Sequence, residues 1–145
     1  MSKVFKTVIE LENYVESACT KAVENACNRL LGTLQELIDT EYYDQFEPDR
    51  YIRSYDFWRS ASTRMLNATC GEIFMDSPKM NYNSFWTGEK QLAYASEGYH
   101  GSKDIQTEGR FWDAFIDFCE KNASNILKEE LKKQGVNVKQ ILIYD

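Results

Sequence analysis

The chain is poor in the residues that most often carry chemistry. It has one histidine, His100, among 145 residues. A cysteine–histidine pair would need His100 beside Cys70 or Cys119, and no local signature surrounds either thiol. The four cysteines, Cys19, Cys27, Cys70 and Cys119, include no CxxC spacing. With a single histidine and scattered carboxylates, they do not spell a zinc site. The phosphate-binding and nucleophile motifs GxxxxGK[ST], GxGxxG and GxSxG do not occur. No apolar run approaches the ~20 residues of a membrane span. No apolar stretch follows Lys3 and Lys6, so no secretory signal is expected. Cations are the minority: 17 Lys and Arg against 23 Asp and Glu give a net charge of -6. A net acidic surface repels phosphate backbones, which disfavours nucleic acid as the main partner. These absences lead us to expect a protein that is no enzyme and holds no cofactor or metal.

What is present is enough apolar and aromatic residue for a packed core. Hydrophobic residues make up 43% and aromatics 14%, which excludes a disordered chain. The length suits one domain, residues 1–145. Such a chain buries enough surface to fold without disulfides. The cysteines therefore read as small apolar residues in a reducing compartment, with a metal or disulfide role as the alternative.

Thr7 followed by Glu10 has the spacing of a capping box. Beyond it Leu11, Tyr14, Ala18, Ala22, Ala26, Leu30, Leu34 and Leu37 recur every three or four residues. That period predicts a long amphipathic helix over about 7–38, with Gly32 as a place for a bend. Strands and loops are expected over 50–82. Tyr51 to Leu66 and Cys70 to Met75 read as antiparallel strands joined by Asn67-Ala68-Thr69, although the first alternates poorly. A short helix is predicted over 88–96. A C-terminal helix is predicted over 108–134, interrupted near Asn122 and closed by Gly135. In the tail, 136–145, Ile141-Leu142-Ile143 suggests an edge strand. The fold class is α+β: a long N-terminal helix and a C-terminal helix packed on a small antiparallel sheet.

The acidic loop Glu41, Asp44, Glu47 and Asp49 fails the calcium-loop spacing and reads as a solvated face. Arg50 to Arg59 interleaves arginines with Tyr51, Tyr55, Phe57 and Trp58. This pattern fits three structures: a platform that stacks single-stranded bases, a protein interface, or a strand whose rings face the core.

Within it, Arg53-Ser54-Tyr55-Asp56-Phe57-Trp58-Arg59-Ser60 resembles the motif Arg-[Ser/Thr]-Gly-x-Leu-x-x-Ser. That motif follows a long N-terminal helix in the small head–tail joining, neck or tail-completion proteins of tailed phages and prophages. Arg53, Ser54 and Ser60 match, while Tyr55 stands for the glycine and Phe57 for the leucine. Glu97-Gly98-Tyr99-His100-Gly101 is similar to the family's Tyr/Gly loop. Gly109-Arg110-Phe111-Trp112 is similar to the aromatic start of its C-terminal helix. The resemblance runs through most of residues 7–135. It implies a virion protein, present in the host cytoplasm during assembly, that forms a ring joining tail to head. Its partners would be portal or adaptor, tail tube or terminator, and further copies of itself. DNA would pass through the centre, which an acidic lumen suits.

On that reading the interface candidates are Tyr42, Tyr43, Arg53, Trp86, Tyr99 and His100, expected as exposed groups. The alternative is a prophage- or host-encoded regulatory module whose N-terminal helix fits a partner groove. The same apolar face also suits packing on the chain's own core.

Overall fold

The computed structural model describes residues 3–45, 54–80, 87–96 and 110–139. Its spine is α1, Val8–Glu41, an unbroken 34-residue helix about 50 Å long. The helix starts where the sequence places its cap. Thr7 is extended, and its Oγ1 accepts the Glu10 amide at 3.1 Å. The Glu10 carboxylate reaches back to accept the Lys6 amide at 2.8 Å. Gly32 produces no break, and the helix runs three residues past the expected end.

The buried line of α1 is Ala18, Ala22, Ala26, Leu30, Leu34 and Ile38. Each step of four overshoots a full turn by about 40°, which sums to roughly 200° over this line. The buried face therefore spirals around the helix, and different neighbours cover different levels. Leu11, expected on this face, is 43% exposed, and Ile38 rather than Leu37 is fully buried.

Two layers flank α1. On one side is an antiparallel hairpin of β1, Ala61–Asn67, and β2, Cys70–Met75. Thr20, Val23 and Cys27 face it: Thr20 Oγ1 donates to the Ala68 carbonyl, and Val23 and Cys27 close on Gly71. A Cβ at Gly71 would stand 2.6 Å from Cys27 Sγ, so this residue lets sheet and helix approach. About half a turn around α1 lies the C-terminal helix, Arg110–Lys133, antiparallel to it. Arg29 Nη1 donates to Glu129 and Glu130 there, both at 2.9 Å. Asn122 does not interrupt this helix; its Nδ2 donates to the Phe118 carbonyl at 3.0 Å. Gly135 ends it at φ 84, with Gly135 N bonded to Lys132 O and Val136 N to Leu131 O. Those two bonds, one nested within the other, form a Schellman cap.

The expected strand from Tyr51 is corrected. Residues Asp56–Ser60 form α2, a single helical turn before β1. Its burial follows helical spacing, with Phe57, Ser60 and Ala61 inside. Asp56 pairs with Arg59 at 3.2 Å across the turn. In chain order the remaining helices are α3, Gly88–Ser96, as expected, and the C-terminal helix, which is therefore α4. Short 3-10 turns at Tyr43–Gln45 and Ser77–Met80 complete the described fold. The Ile141-Leu142-Ile143 expectation falls outside the described residues.

Candidate assembly surfaces

Tyr42 and Tyr43 are core residues, which corrects their expected exposure: they are 4% and 7% exposed. They follow directly on α1, where the chain turns back over its own end. The Tyr42 ring lies 4.5 Å from Phe57 and 6.4 Å from Phe111, and Phe57 and Phe111 stack edge to face at 5.3 Å. This cluster ties the end of α1 to α2 and to the start of α4. Both hydroxyls are used: Tyr42 Oη accepts from Gln91 Nε2 at 2.8 Å, and Tyr43 Oη accepts the Trp58 amide at 3.4 Å. Arg53, Trp86, Tyr99 and His100 lie outside the described residues.

The motif segment that can be followed, Ser54 to Ser60, has a definite geometry. Tyr55 has φ 61 and ψ 20, the one described non-glycine residue in the left-handed region. This is the position where the resembled motif carries glycine, the residue that adopts that conformation without a steric penalty. Tyr55 is held by its ring, 5.0 Å from Tyr43. Ser54 Oγ accepts the Asp56 amide at 3.3 Å, opening α2. Phe57, at the leucine position, is 2% exposed. Ser60 is fully buried and donates to the Phe57 carbonyl at 2.6 Å. Its own carbonyl accepts from Ser62 Oγ at 3.1 Å, and Ser62 Oγ accepts from Lys79 Nζ at 2.8 Å. The segment is a structural corner: it turns the chain from the end of α1 into the hairpin.

The exposed apolar surface lies elsewhere. Val4, just before α1, and Val8, Ile9, Leu11 and Val15, at its start, are 39–88% exposed. Val8, Leu11 and Val15 continue the line of Ala18 and Ala22 toward the N-terminus. Tyr14, beside them, donates to the Gln134 carbonyl at 2.8 Å, which marks where α4 ends against α1. Trp112 and Ile116 on α4 and Leu66 on β1 are smaller exposed apolar spots. Periodicity gives the first residues of α1 a buried face; their exposure depends on how far α4 reaches, which no local pattern encodes.

The shifted titratable groups have structural causes. Glu130, with a side chain 3% exposed, accepts from Lys133 at 2.7 Å and from Arg29, and these bonds hold its carboxyl below the usual range. Burial pushes Asp39 up, offset by a hydrogen bond from Trp58. Burial also raises the thiols of Cys27 and Cys119, which keeps them protonated and unreactive, as small apolar residues would be. Cys70 departs from that reading, since it is exposed. A shallow open groove between α1 and α4 is lined by Thr33, Glu36, Leu37 and Phe118, with Lys121 paired to Asp117 at its rim. Among the described residues no three His, Cys, Asp or Glu side chains gather as metal ligands, and no helix is long and apolar enough to cross a membrane.

No curated protein and no solved structure matches this chain. One family model does, over residues 7–134, from the cap of α1 to the end of α4. Its name is of the Bacillus phage and prophage type and points to a phage-associated protein. With nearly its whole length matched, the chain belongs to the YomN family.

Proposed function

We propose that this YomN-family chain is a non-catalytic phage assembly protein that acts at the head–tail junction or tail end, as part of a ring joining tail to head. The observation that carries the reading is Tyr55. A tyrosine in the left-handed region at the motif's glycine position is what a backbone corner like that of the resembled head–tail joining proteins requires, with its residue changed. The order of elements supports it too: long helix, corner, hairpin, and a C-terminal helix opened by Phe111 and Trp112. Its partners on this reading are other virion proteins and further copies of itself, and its place is the particle, after assembly in the host cytoplasm.

Mass spectrometry of purified particles, after prophage induction or infection, tests this. Peptides of this chain at a few to a dozen copies per portal are the expected result. Peptides confined to the lysate and missing from particles would overturn a virion role.

A second reading has its own observation. The exposed Val8, Ile9, Leu11 and Val15 suit an amphipathic helix that enters a partner's groove. That protein would be a regulatory module, monomeric by itself and recovered as a soluble one-to-one complex.

A further inference from the structure

The groove between α1 and α4 has an apolar floor and an acidic rim on each side. Leu37 of α1 and Ala114 and Phe118 of α4 make the floor, while Glu36 and Asp117 stand on the two rims. The lining residues of α1, from Thr33 to Thr40, and of α4, from Ala114 to Lys121, repeat one spacing of i, i+3, i+4 and i+7. Each helix therefore gives the groove a single face, about 10 Å long. None of the lining residues is buried, and Glu36, Thr40, Asp117 and Lys121 are exposed. The volume of about 400 Å³ has room for a few apolar side chains but not for a helix, whose diameter is about 10–12 Å. An occupant lies on the groove and inserts side chains into it. The neutral polar groups are turned onto their own helices: Thr33, Thr40 and Asn122 donate to the carbonyls of Arg29, Leu37 and Phe118. That leaves the carboxylates for recognition. Among the described residues Glu36 has no ion-pair partner. Asp117 has Lys121 at 2.7 Å, with the two side chains 60% and 69% exposed. So exposed a pair contributes little, and an incoming cation can replace Lys121 in it.

We propose that this groove receives a basic amphipathic helix of another protein. Its apolar side chains enter between Leu37 and Phe118, and its lysines or arginines pair with Glu36 and Asp117. The inference does not depend on the ring reading. Charge identifies the kind of partner. From Leu30 to its end, α1 carries Glu36, Asp39 and Glu41 and no lysine or arginine. From Phe111 to Glu120, α4 carries Asp113, Asp117 and Glu120 and again no cation. The two helices thus present one acidic end around an apolar strip, to which a cationic helix is complementary and a phosphate backbone is not. A second copy is a poor occupant. Its exposed aliphatic line, Val8, Leu11 and Val15, has Glu12 and Glu16 beside it rather than cations, so docking it here sets carboxylate against carboxylate.

The test uses the full chain and a fluorescent helical peptide of leucine and lysine, with leucine at i, i+3, i+4 and i+7. One control peptide has the same residues in an order without the stripe, and the other keeps the stripe with glutamate for lysine. In fluorescence anisotropy the striped lysine peptide is expected to bind about tenfold or more tighter than either control. In 15N spectra of the parent chain it shifts the amides of Leu37, Ala114 and Phe118. The double variant Glu36→Gln with Asp117→Asn weakens binding about tenfold. Glu12→Gln with Glu16→Gln removes the same charge from the start of α1 and leaves binding within about twofold. Circular dichroism confirms that both variants fold. Equal binding of the three peptides, resonance shifts confined to other surfaces, or a folded Glu36→Gln, Asp117→Asn variant that binds like the parent each overturns the proposal. So does self-association of the parent that this variant abolishes, which would give the groove to a second copy.

Discussion

Tyr55 adopts a conformation that costs an L-residue roughly 1–2 kcal/mol, and its ring contact with Tyr43 offsets part of that. The usual ranking of alanine over glycine should therefore reverse here. Tyr55→Ala loses the ring and keeps the strain, while Tyr55→Gly loses the ring and relieves it. Both variants are expected to be less stable than the parent in urea, with the glycine variant about 1 kcal/mol above the alanine variant. An alanine variant equal to or above glycine would show that the corner does not require positive φ. Glu130 gives a pH-dependent prediction at the same scale. Lys133 and Arg29 depress its folded pKa, so its contribution is complete above the unfolded value near 4.3 and fades as pH falls through the folded one. Glu130→Gln should lower stability at pH 7 by about 1–3 kcal/mol. The difference from the parent should shrink on acidification below about pH 4.3, read from melting temperature against pH. A constant difference down to about pH 2 would rule out the ionised clip.

Among the elements, the approach of the hairpin to α1 is set by the missing side chain at Gly71. A methyl group there meets Cys27 Sγ at 2.6 Å and Val23 Cγ1 and Met65 Sδ at 3.3 Å. Gly71→Ala is expected to cost about 1–3 kcal/mol by overpacking. The first obstacle is one side chain, so Cys27→Ala should recover much of that loss in a double-mutant cycle. Strictly additive losses would mean that the backbone, rather than Cys27, resists. Gly88 has no such relief, because its Cβ would overlap the Ser77 carbonyl, a backbone group. The two sites separate a close contact that a partner side chain can release from one that the chain path fixes. The start of α1 behaves in the opposite way. Val8 and Ile9 are 70% and 68% exposed, so replacing both with serine should shift the melting temperature by no more than about 2 °C. A larger drop would show that these residues are covered in the free chain. If they instead form the partner-binding face of the second functional reading, the loss appears in complex formation with stability unchanged.

At the scale of the whole molecule, α1 is a spine with the hairpin on one side and α4 on the other, closed at one end by the aromatic cluster of Tyr42, Tyr43, Phe57 and Phe111. The other end keeps its apolar residues outside. This polarity separates a packed end from the exposed aliphatic start of α1. The net charge of -6 acts over the whole surface and opposes uncontrolled association of like-charged copies.

Local chemistry was legible wherever a signal is confined to a few residues. The Thr7–Glu10 cap, the Gly135 stop, the hairpin turn and the α+β class follow from side chains reaching their own backbone and from apolar periods of 3.6 and 2. Less was legible where the outcome depends on what comes to lie against a residue. Arginine and aromatic residues around positions 50–59 fit a strand, an interface or a base-stacking platform in the sequence. The fold chose a helical turn with Phe57 in the core, because the end of α1 supplies Tyr42 and Tyr43 as its packing partners. The same contact turned two candidate interface tyrosines into core residues. It was also the reach of α4, ending beside Tyr14, that left Val8, Leu11 and Val15 outside while burying Ala18 and Ala22 on the same line. Sequence by itself determines which faces are apolar, because periodicity is a property of neighbours along the chain. Only the tertiary structure decides which of those faces are covered, because burial is a contact between segments far apart along the chain.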